Sequence, residues 1–219
     1  MYYTSWGMGV NTTSKVVVMA KLYFRYGAMN CGKSTNLMQV AYNYKERGMK
    51  SVIIKPMVDT KGADSVVSRL GINKKIDMLI DDRMNVFNEI NRDNENEKID
   101  CILVDEVQFF KANQIDQLLM IAVKLNIPVI AYGLRTDFKM NGFEGSERLL
   151  LIAHTIEELK TICRCGRKAT LNARKINGKF VSDGDQVAID GENKVEYESL
   201  CSNCYYKLVL DIGNCETDY

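Results

Sequence analysis

The sequence predicts an open, parallel α/β sheet with helices on both faces, followed by a small second lobe. Short apolar strands alternate with helical segments between residues 21 and 132, which is typical of such a sheet. A glycine-bearing loop joins the first strand directly to a helix. The helical period is lost near Lys160, where glycines, short polar runs and two pairs of cysteines follow.

The first elements of the sheet are a strand, a helix and a second strand. Residues 21–26 (KLYFRY) alternate and are rich in aromatic side chains, which predicts a strand. Residues 34–47 have apolar side chains at helical spacing, and Gly48 stands where a glycine commonly ends a helix. Residues 51–55 (SVIIK) predict a buried strand that Pro56 stops.

The pattern then repeats. Residues 86–92 predict a short helix, and residues 99–104 (IDCILV) form a continuous apolar strand, as expected for a parallel sheet covered on both faces. Residues 114–125 predict an amphipathic helix, and residues 127–132 another apolar strand. Residues 59–77, which lie between the predicted strand 51–55 and the predicted helix 86–92, are polar and are interpreted as a mobile segment.

Composition and charge narrow the class of protein. The 219 residues are 46% hydrophobic and 26% charged, which indicates a globular protein with room for one domain and a small appendage. A net charge of +1 argues against binding nucleic acid through bulk electrostatics. No run of 18 apolar residues occurs, so we expect no transmembrane helix and no membrane partner. Residues 1–18 do not have the pattern of a secretory signal and are interpreted as a disordered leader.

The loop after the first strand matches the phosphate-binding pattern G-x-x-x-x-G-K-[ST] at every required position. It consists of Gly27, Ala28, Met29, Asn30, Cys31, Gly32, Lys33 and Ser34. Its glycines let backbone N–H groups turn toward phosphate oxygens, and the helix N-terminus adds the positive end of its dipole. Lys33 can reach the β and γ phosphates, and the Ser34 hydroxyl can ligate Mg²⁺. The sequence therefore predicts a P-loop NTPase-type sheet.

Two carboxylates follow the strand 99–104. In a P-loop fold, Asp105 would hold Mg²⁺ and Glu106 would be free to act as a base. Alone, these would be two solvated acids at a strand end, but the neighbouring P-loop favours a functional interpretation. Of Phe109 and Phe110, one is expected to offer a stacking surface to a flat ring and the other to pack in the core.

Paired cysteines mark the second lobe. Cys163-x-Cys165 and Cys201-x-x-Cys204 offer four thiolates, which suit a tetrahedral structural zinc. Disulfides are the alternative, and a cytosolic location, which the P-loop and the missing signal favour, argues against them. Because the lobe contains little apolar material, we expect the metal to replace a hydrophobic core. The remaining cysteines are interpreted as free thiols: Cys31, Cys101 and Cys215.

These features divide the chain into a leader at 1–18, a nucleotide-binding domain at 19–159, a zinc lobe at 160–210 and a tail at 211–219. His154, the only histidine, is expected on a helix face. Without a second histidine, a histidine-rich metal site is excluded, and we expect no histidine-based triad.

Taken together, the motifs resemble the type II thymidine kinases, a family with bacterial and phage members. The segments occur in order as GAMNCGKS, KPMVDT, VDEVQFF, AYGLRTDF, LKTICRCG and YESLCSNC, and the resemblance covers Met19 to Tyr205. It implies a P-loop kinase that transfers the γ-phosphate of ATP, with Mg²⁺, to the 5′-hydroxyl of thymidine. Deoxyuridine is a further substrate that the resemblance suggests. It further implies nucleotide salvage for DNA synthesis, a homotetramer and feedback inhibition by dTTP.

The resemblance also assigns residues. Glu106 corresponds to the general base that accepts the 5′-hydroxyl proton, and the ATP site takes in the P-loop with Asp105, Glu106, Val107 and Gln108. The implied nucleoside contacts are Asp59 near the deoxyribose, Phe109 under the thymine, Leu134, Phe138 and Phe143 along the wall, Met29 near the 5-methyl group, and Tyr197. Tyr197 ends a lid, residues 181–197, which would bind the base through main-chain groups and which the zinc would anchor at both ends.

The chain departs from the family pattern in three respects, the first of which is that residues 1–18 have no recognised counterpart. Lys61 stands where the family often has arginine, and lysine lacks the bidentate fork for phosphate. The lid segment 189–197 is longer than the common form, which leaves the register around Gly191 open.

Two other functions are weighed against a kinase. One is a P-loop ATPase whose zinc lobe binds nucleic acid, since residues 105–108 superficially resemble a helicase box, but the chain is too short for two motor domains and its charge is near zero. The other is a non-catalytic regulator, and the presence of Lys33, Ser34, Asp105 and Glu106 argues against it.

Overall fold

The computed structural model describes residues 19–57, 65–67, 73–186 and 194–211. The predicted fold class is confirmed: a parallel six-stranded sheet carries helices on both faces, and a small β lobe follows it. The elements up to the lobe are β1 (Leu22–Tyr26), α1 (Lys33–Glu46), β2 (Ser51–Pro56), β3 (Ser65–Val67), β4 (Asn73–Lys75), β5 (Met78–Ile80), α2 (Val86–Asn96), β6 (Cys101–Val104), α3 (Ala112–Met120), β7 (Val129–Gly133), α4 (Glu144–Ile152) and β8 (Thr155–Glu158).

The six strands of the sheet lie in the order β5-β2-β6-β7-β1-β8, and each neighbouring pair is parallel. Alternate side chains of β6 enter two separate apolar clusters, one on each face of the sheet. Ile102 packs with Ile90 and Leu118 of α2 and α3, whereas Leu103 packs with Leu37 of α1. Both faces are therefore buried, which explains why β6 is continuously apolar.

The structure corrects several details of the prediction. The helix expected at 114–125 is α3 followed by a π-helical turn at Ile121–Leu125, which ends at Asn126 in the left-handed region (φ 53°). The segment 59–77 contains an antiparallel pair of strands, β3 and β4, and its mobility stays a prediction. Residues 58–64 and 68–72 lie outside the described part of the chain, as do the leader 1–18 and residues 212–219 of the tail.

His154 does not lie on a helix face, so that expectation was wrong. The residue follows the end of α4 and precedes β8, and its Nδ1 accepts a hydrogen bond of 3.0 Å from the Leu22 N–H. It thereby joins the start of the edge strand to the start of β1, which is a structural role.

The second lobe is built from antiparallel strands. A sheet of three strands, in the order β12-β11-β13, is accompanied by the hairpin β9–β10 and one short helix. The elements are β9 (Thr161–Ile162), β10 (Lys168–Ala169), β11 (Leu171–Ile176), β12 (Lys179–Val181), β13 (Val195–Leu200) and α5 (Ser202–Leu208). Ala173, Leu200 and Tyr205 form a small apolar cluster with Cys163 and Cys201. The lobe therefore has a modest core of its own beside the cysteines, which corrects the expectation that a metal replaces a hydrophobic core.

Candidate active site

Three segments that carry predicted site residues meet at one edge of the main sheet. The P-loop follows β1, the two acids follow β6, and residues 134–143 follow β7. Because these strands are parallel neighbours, their carboxyl ends lie side by side. Ligands of open α/β sheets bind at that edge.

The P-loop is closed tightly on itself and on the chain beyond the sheet. A Cβ on Gly27 would lie 2.4 Å from the Cys31 Sγ and 2.5 Å from the Leu159 carbonyl oxygen, so only glycine fits there. Gly32 has φ 82° and caps the start of α1. The Lys33 ammonium donates to the carbonyls of Gly27 (3.3 Å) and Ala28 (3.0 Å), which holds a positive charge at the loop.

Asp105, at the end of β6, is a buried acid that is only 4% exposed. Burial and the neighbouring Glu106 carboxylate raise the pKa of Asp105 to about 7, while Lys55 and Lys33 act in the opposite direction. A divalent cation would favour the ionised form more strongly than either lysine does. Carboxylate and hydroxyl oxygens suit Mg²⁺, so Asp105 and Ser34 fit the ligand set expected of them.

Glu106 occupies an unusual backbone conformation. Its φ of 51° and ψ of 39° place a non-glycine residue in the left-handed region, where the chain turns into the short 3-10 turn Val107–Phe109. Such strained positions are found preferentially at functional sites. The Gln108 side chain donates from Nε2 to the Glu106 carboxylate and accepts a 3.0 Å hydrogen bond from the Leu134 N–H.

The residues that follow Glu106 therefore fix the position of its carboxylate. Gln108 is 2% exposed, so its amide orients the carboxylate from a fixed position. Val107 is fully buried in the core, and any contribution to ATP binding would come from its main chain. Close packing holds the turn, because a Cβ on Gly145 of α4 would lie 2.5 Å from the Val107 carbonyl oxygen.

The aromatic residues divide as expected into a core residue and a candidate stacking residue. Phe110 is 1% exposed and packs in the main core. Phe109 is partly exposed, and its ring meets that of Phe143 edge to face, with centroids 5.6 Å apart. Leu134 and Phe138, which follow β7 in the chain, are both buried. The Tyr205 hydroxyl of the lobe donates to the Phe138 carbonyl, which ties the β7 loop to α5.

Three buried polar residues of the lobe contact the P-loop or the proposed nucleoside contacts, and sequence reasoning missed all three. The Ser199 hydroxyl donates to the Met29 carbonyl. The Asn172 side chain accepts a 2.7 Å hydrogen bond from the Met29 N–H and donates to the Thr136 carbonyl. Arg174, two residues along β11 and hence on the same face, bonds the Tyr197 hydroxyl at 3.0 Å. The signal was the polar alternation of Asn172 and Arg174 in a short strand between two cysteine pairs.

Several predicted contacts lie outside the described residues. These are Asp59, Lys61 and Gly191, together with positions 187–193 of the lid. The described ends of the lid are residues 181–186 and 194–197, and Tyr197 belongs to β13.

The four cysteines of the lobe converge. The sulfur atoms of Cys163, Cys165, Cys201 and Cys204 all lie within 4.8 Å of one another. Cys165 and Cys201 are 3.6 Å apart at sulfur, too far for a disulfide. Every cysteine in the described part of the chain is a free thiol, and Cys215 lies beyond it.

The pKa values of these thiols indicate how a cation would affect the cluster. Burial opposes ionisation of Cys163, but backbone hydrogen bonds from Cys165 and Cys201 outweigh it and lower the pKa of Cys163 to about 7. Hydrogen bonds with Cys165 and Cys163 raise the pKa of Cys204 to about 12. The thiols therefore resist becoming thiolates together, and Zn²⁺ would stabilise all four in that form.

Within the ranges that the structure describes, no helix is long and apolar enough to cross a membrane.

Comparison with known proteins adds the following. The thymidine kinase family profile matches residues 20–205. A thymidine kinase of Francisella tularensis subsp. tularensis is 46% identical over 188 residues, which cover 84% of this chain and 95% of the relative. A thymidine kinase of Colwellia psychrerythraea is 47% identical over 193 residues, covering 87% and 99%. A thymidine kinase of Enterobacteria phage T4 is 44% identical over 197 residues, covering 89% and 100%.

Proposed function

Because this chain belongs to the thymidine kinase family, we propose that the cleft at the carboxyl edge of its sheet carries out the family's reaction with Glu106 as general base. The enzyme phosphorylates thymidine at the expense of ATP and yields dTMP and ADP. The observation that carries the assignment is the pair of acids at the end of β6, beside the P-loop. Asp105 is buried, and Glu106 is partly exposed and accepts a hydrogen bond from Gln108. An acid in each of these two positions is what phosphoryl transfer needs.

The phosphate end of the site neutralises charge. The N–H groups of the P-loop and the N-terminus of α1 face the phosphate oxygens, and Lys33 binds between the β and γ phosphates. Asp105 and Ser34 would hold Mg²⁺, which neutralises charge on the phosphates when bound. Burial of Asp105 limits the contact of this carboxylate with bulk water.

Glu106 then handles the proton. The 5′-hydroxyl of thymidine donates a hydrogen bond to the Glu106 carboxylate, and the proton passes to it as the oxygen bonds to the γ-phosphorus and the bond to ADP breaks. Little basicity is required, since positioning contributes most of the rate in phosphoryl transfer. The hydrogen bond from Gln108 supplies that positioning to the carboxylate.

The nucleoside end of the site is aromatic and apolar. We assign the thymine ring to Phe109, which the edge-to-face contact with Phe143 holds in place. Leu134, Phe138, Met29 and Tyr197 complete the pocket, and Asp59 binds the deoxyribose. The lid donates and accepts main-chain hydrogen bonds at the base-pairing edge, which gives selectivity for one pyrimidine.

The zinc lobe has a supporting role in this proposal. Cys163, Cys165, Cys201 and Cys204 would hold a structural Zn²⁺, which would stabilise the lobe at the two ends of the lid. The main domain extends over 19–159 and the lobe over 160–210. The family resemblance also supports a cytoplasmic homotetramer that dTTP inhibits.

Substrate selectivity tests the nucleoside pocket. With γ-labelled ATP, we expect efficient phosphorylation of thymidine and deoxyuridine, and a kcat/KM for deoxycytidine lower by at least about a hundredfold, because its base-pairing edge reverses a donor and an acceptor. Deoxyuridine serves as the matched control, since it differs from thymidine only in the 5-methyl group. Equal kcat/KM values for thymidine and deoxycytidine would contradict the pocket.

A further inference from the structure

Arg174 is a buried cation on β11 to which the reaction described above assigns no role. The residue is 3% exposed. In the part of the chain that the structure describes, no carboxylate lies within ion-pair distance of its guanidinium. Arginine is seldom buried without a charged partner, so the groups that do contact it need an explanation.

Among the residues that the structure describes, the guanidinium of Arg174 donates three hydrogen bonds. Nη1 donates to the Asp185 carbonyl at 2.6 Å and Nη2 to the Gln186 carbonyl at 2.9 Å. Nε donates to the Tyr197 hydroxyl at 3.0 Å. One rigid, planar group thus fixes the positions of two chain segments relative to each other, which a lysine ammonium cannot do with the same geometry.

The same guanidinium stacks on an aromatic ring of the main domain. Its central carbon lies 3.7 Å from the centroid of the Phe138 ring, and 5.4 Å from that of Tyr197. At this distance the cation is attracted to the face of the ring. Arg174 therefore contacts two residues that the proposed function places in the nucleoside pocket, Phe138 after β7 and Tyr197 on β13.

Neighbouring contacts strengthen this junction. The Lys139 ammonium donates to the Gly184 carbonyl at 2.8 Å, and the Gln186 side chain donates to Asp137 and to the Gly142 carbonyl, both at 3.3 Å. Residues 184–186 of the lobe are thus docked on the turn that carries Phe138. Arg174 is at the centre of that contact, since it bonds the segment and stacks on the turn.

We propose that Arg174 is a positioning residue for nucleoside binding. It fixes the Tyr197 phenol and the Phe138 ring on one planar group and holds the segment at Asp185 and Gln186 against them. This inference rests on the proposed function, in which Phe138 and Tyr197 contact the nucleoside. Because Arg174 contacts neither the P-loop nor the acids in the structure, its role concerns thymidine and not ATP.

The variants Arg174→Lys and Arg174→Gln test the proposal. We expect the KM for thymidine to rise about tenfold or more, since several hydrogen bonds are lost together. The KM for ATP should stay within about twofold, because among the described residues Arg174 shares no contact with the P-loop and distant sites respond independently. Zinc content per chain should not change. The matched control is Lys175→Gln on the same strand, whose side chain pairs with Glu198 at 2.6 Å and stacks on Phe180, and whose thymidine KM should equal that of the wild type.

A double-mutant cycle supplies the second measurement. Tyr197→Phe removes only the hydroxyl that Arg174 bonds, so it should fold even where an arginine variant does not. Its effect on the thymidine KM should be smaller in an Arg174→Lys background than in the wild type. Equal effects in both backgrounds, or a wild-type thymidine KM in Arg174→Lys, would overturn the proposal, as would parallel losses of ATP affinity and zinc.

Phe138→Ala separates failure of this inference from failure of the pocket assignment. If it leaves the thymidine KM unchanged in an active enzyme, the proposed pocket is wrong. If it raises the KM while Arg174→Lys does not, the pocket stands and the positioning role of Arg174 is wrong.

Discussion

Replacing Glu106 with glutamine is expected to lower kcat for thymidine phosphorylation by about a thousandfold, the usual range for loss of a general base. The amide has nearly the same shape and still offers an oxygen to the Gln108 donor, so the turn at 107–109 should be preserved. It cannot accept the proton of the 5′-hydroxyl. Because phosphate binding depends on the P-loop, the dissociation constant for ATP should stay within about twofold, as expected for a change confined to the chemical step.

Initial rates with γ-labelled ATP and calorimetric titration with ATP measure the two quantities separately. Glu46→Gln at the exposed end of α1 is the matched control and should retain wild-type turnover. Wild-type turnover in Glu106→Gln would rule out its role as base. A large loss of ATP affinity would show instead that Glu106 acts on the nucleotide and its metal.

Removing zinc from the lobe is expected to have the second largest effect. Cys163→Ser should abolish stoichiometric zinc and raise the thymidine KM at least about tenfold, because the metal contributes folding energy to the lobe that positions the pocket. Two hydrogen bonds connect the lobe to the P-loop, because Asn172 and Ser199 bond the main chain of Met29. Unfolding of the lobe would therefore disturb the P-loop side of the site. The small apolar cluster around Leu200 and Tyr205 is too limited to replace the metal.

Metal analysis of the purified enzyme and thermal unfolding with and without a chelator check this directly. Cys215→Ser provides the matched control, since it removes a thiol predicted to be free, and it should keep the metal and the KM. Full activity in zinc-free enzyme, or a wild-type thymidine KM in Cys163→Ser, would contradict a structural zinc.

The parts of the fold that sequence predicted are those with a contiguous signal. The P-loop is a run of eight residues between a strand and a helix, and β6 is continuously apolar because both of its faces are buried. By contrast, β8 (TIEE) is a partly exposed edge strand with two glutamates, and β propensity is weak there. The antiparallel pair of β3 and β4 lies in a polar segment, where no hydrophobic alternation marks strands.

The parts of the site that sequence could not reveal depend on distant partners. Gln108 orients Glu106 only because β7 brings the Leu134 N–H to its other end. Arg174 meets Phe138 and Tyr197 only when the lobe is docked on the turn after β7. In a single sequence these are ordinary polar residues, since their burial and their partners arise from tertiary packing. The convergence of the four cysteines was predictable because their pairing is visible in the chain itself.

The central claim is that this site transfers phosphate to a nucleoside, and the fate of the label tests it most directly. The wild-type enzyme should be incubated with γ-labelled ATP, Mg²⁺ and thymidine, with and without single-stranded DNA, and the products separated. We predict that the label appears in dTMP in proportion to ADP formed, and that DNA changes neither product. Label released only as inorganic phosphate, at a rate that DNA stimulates, would contradict the claim and indicate a nucleic-acid-dependent ATPase.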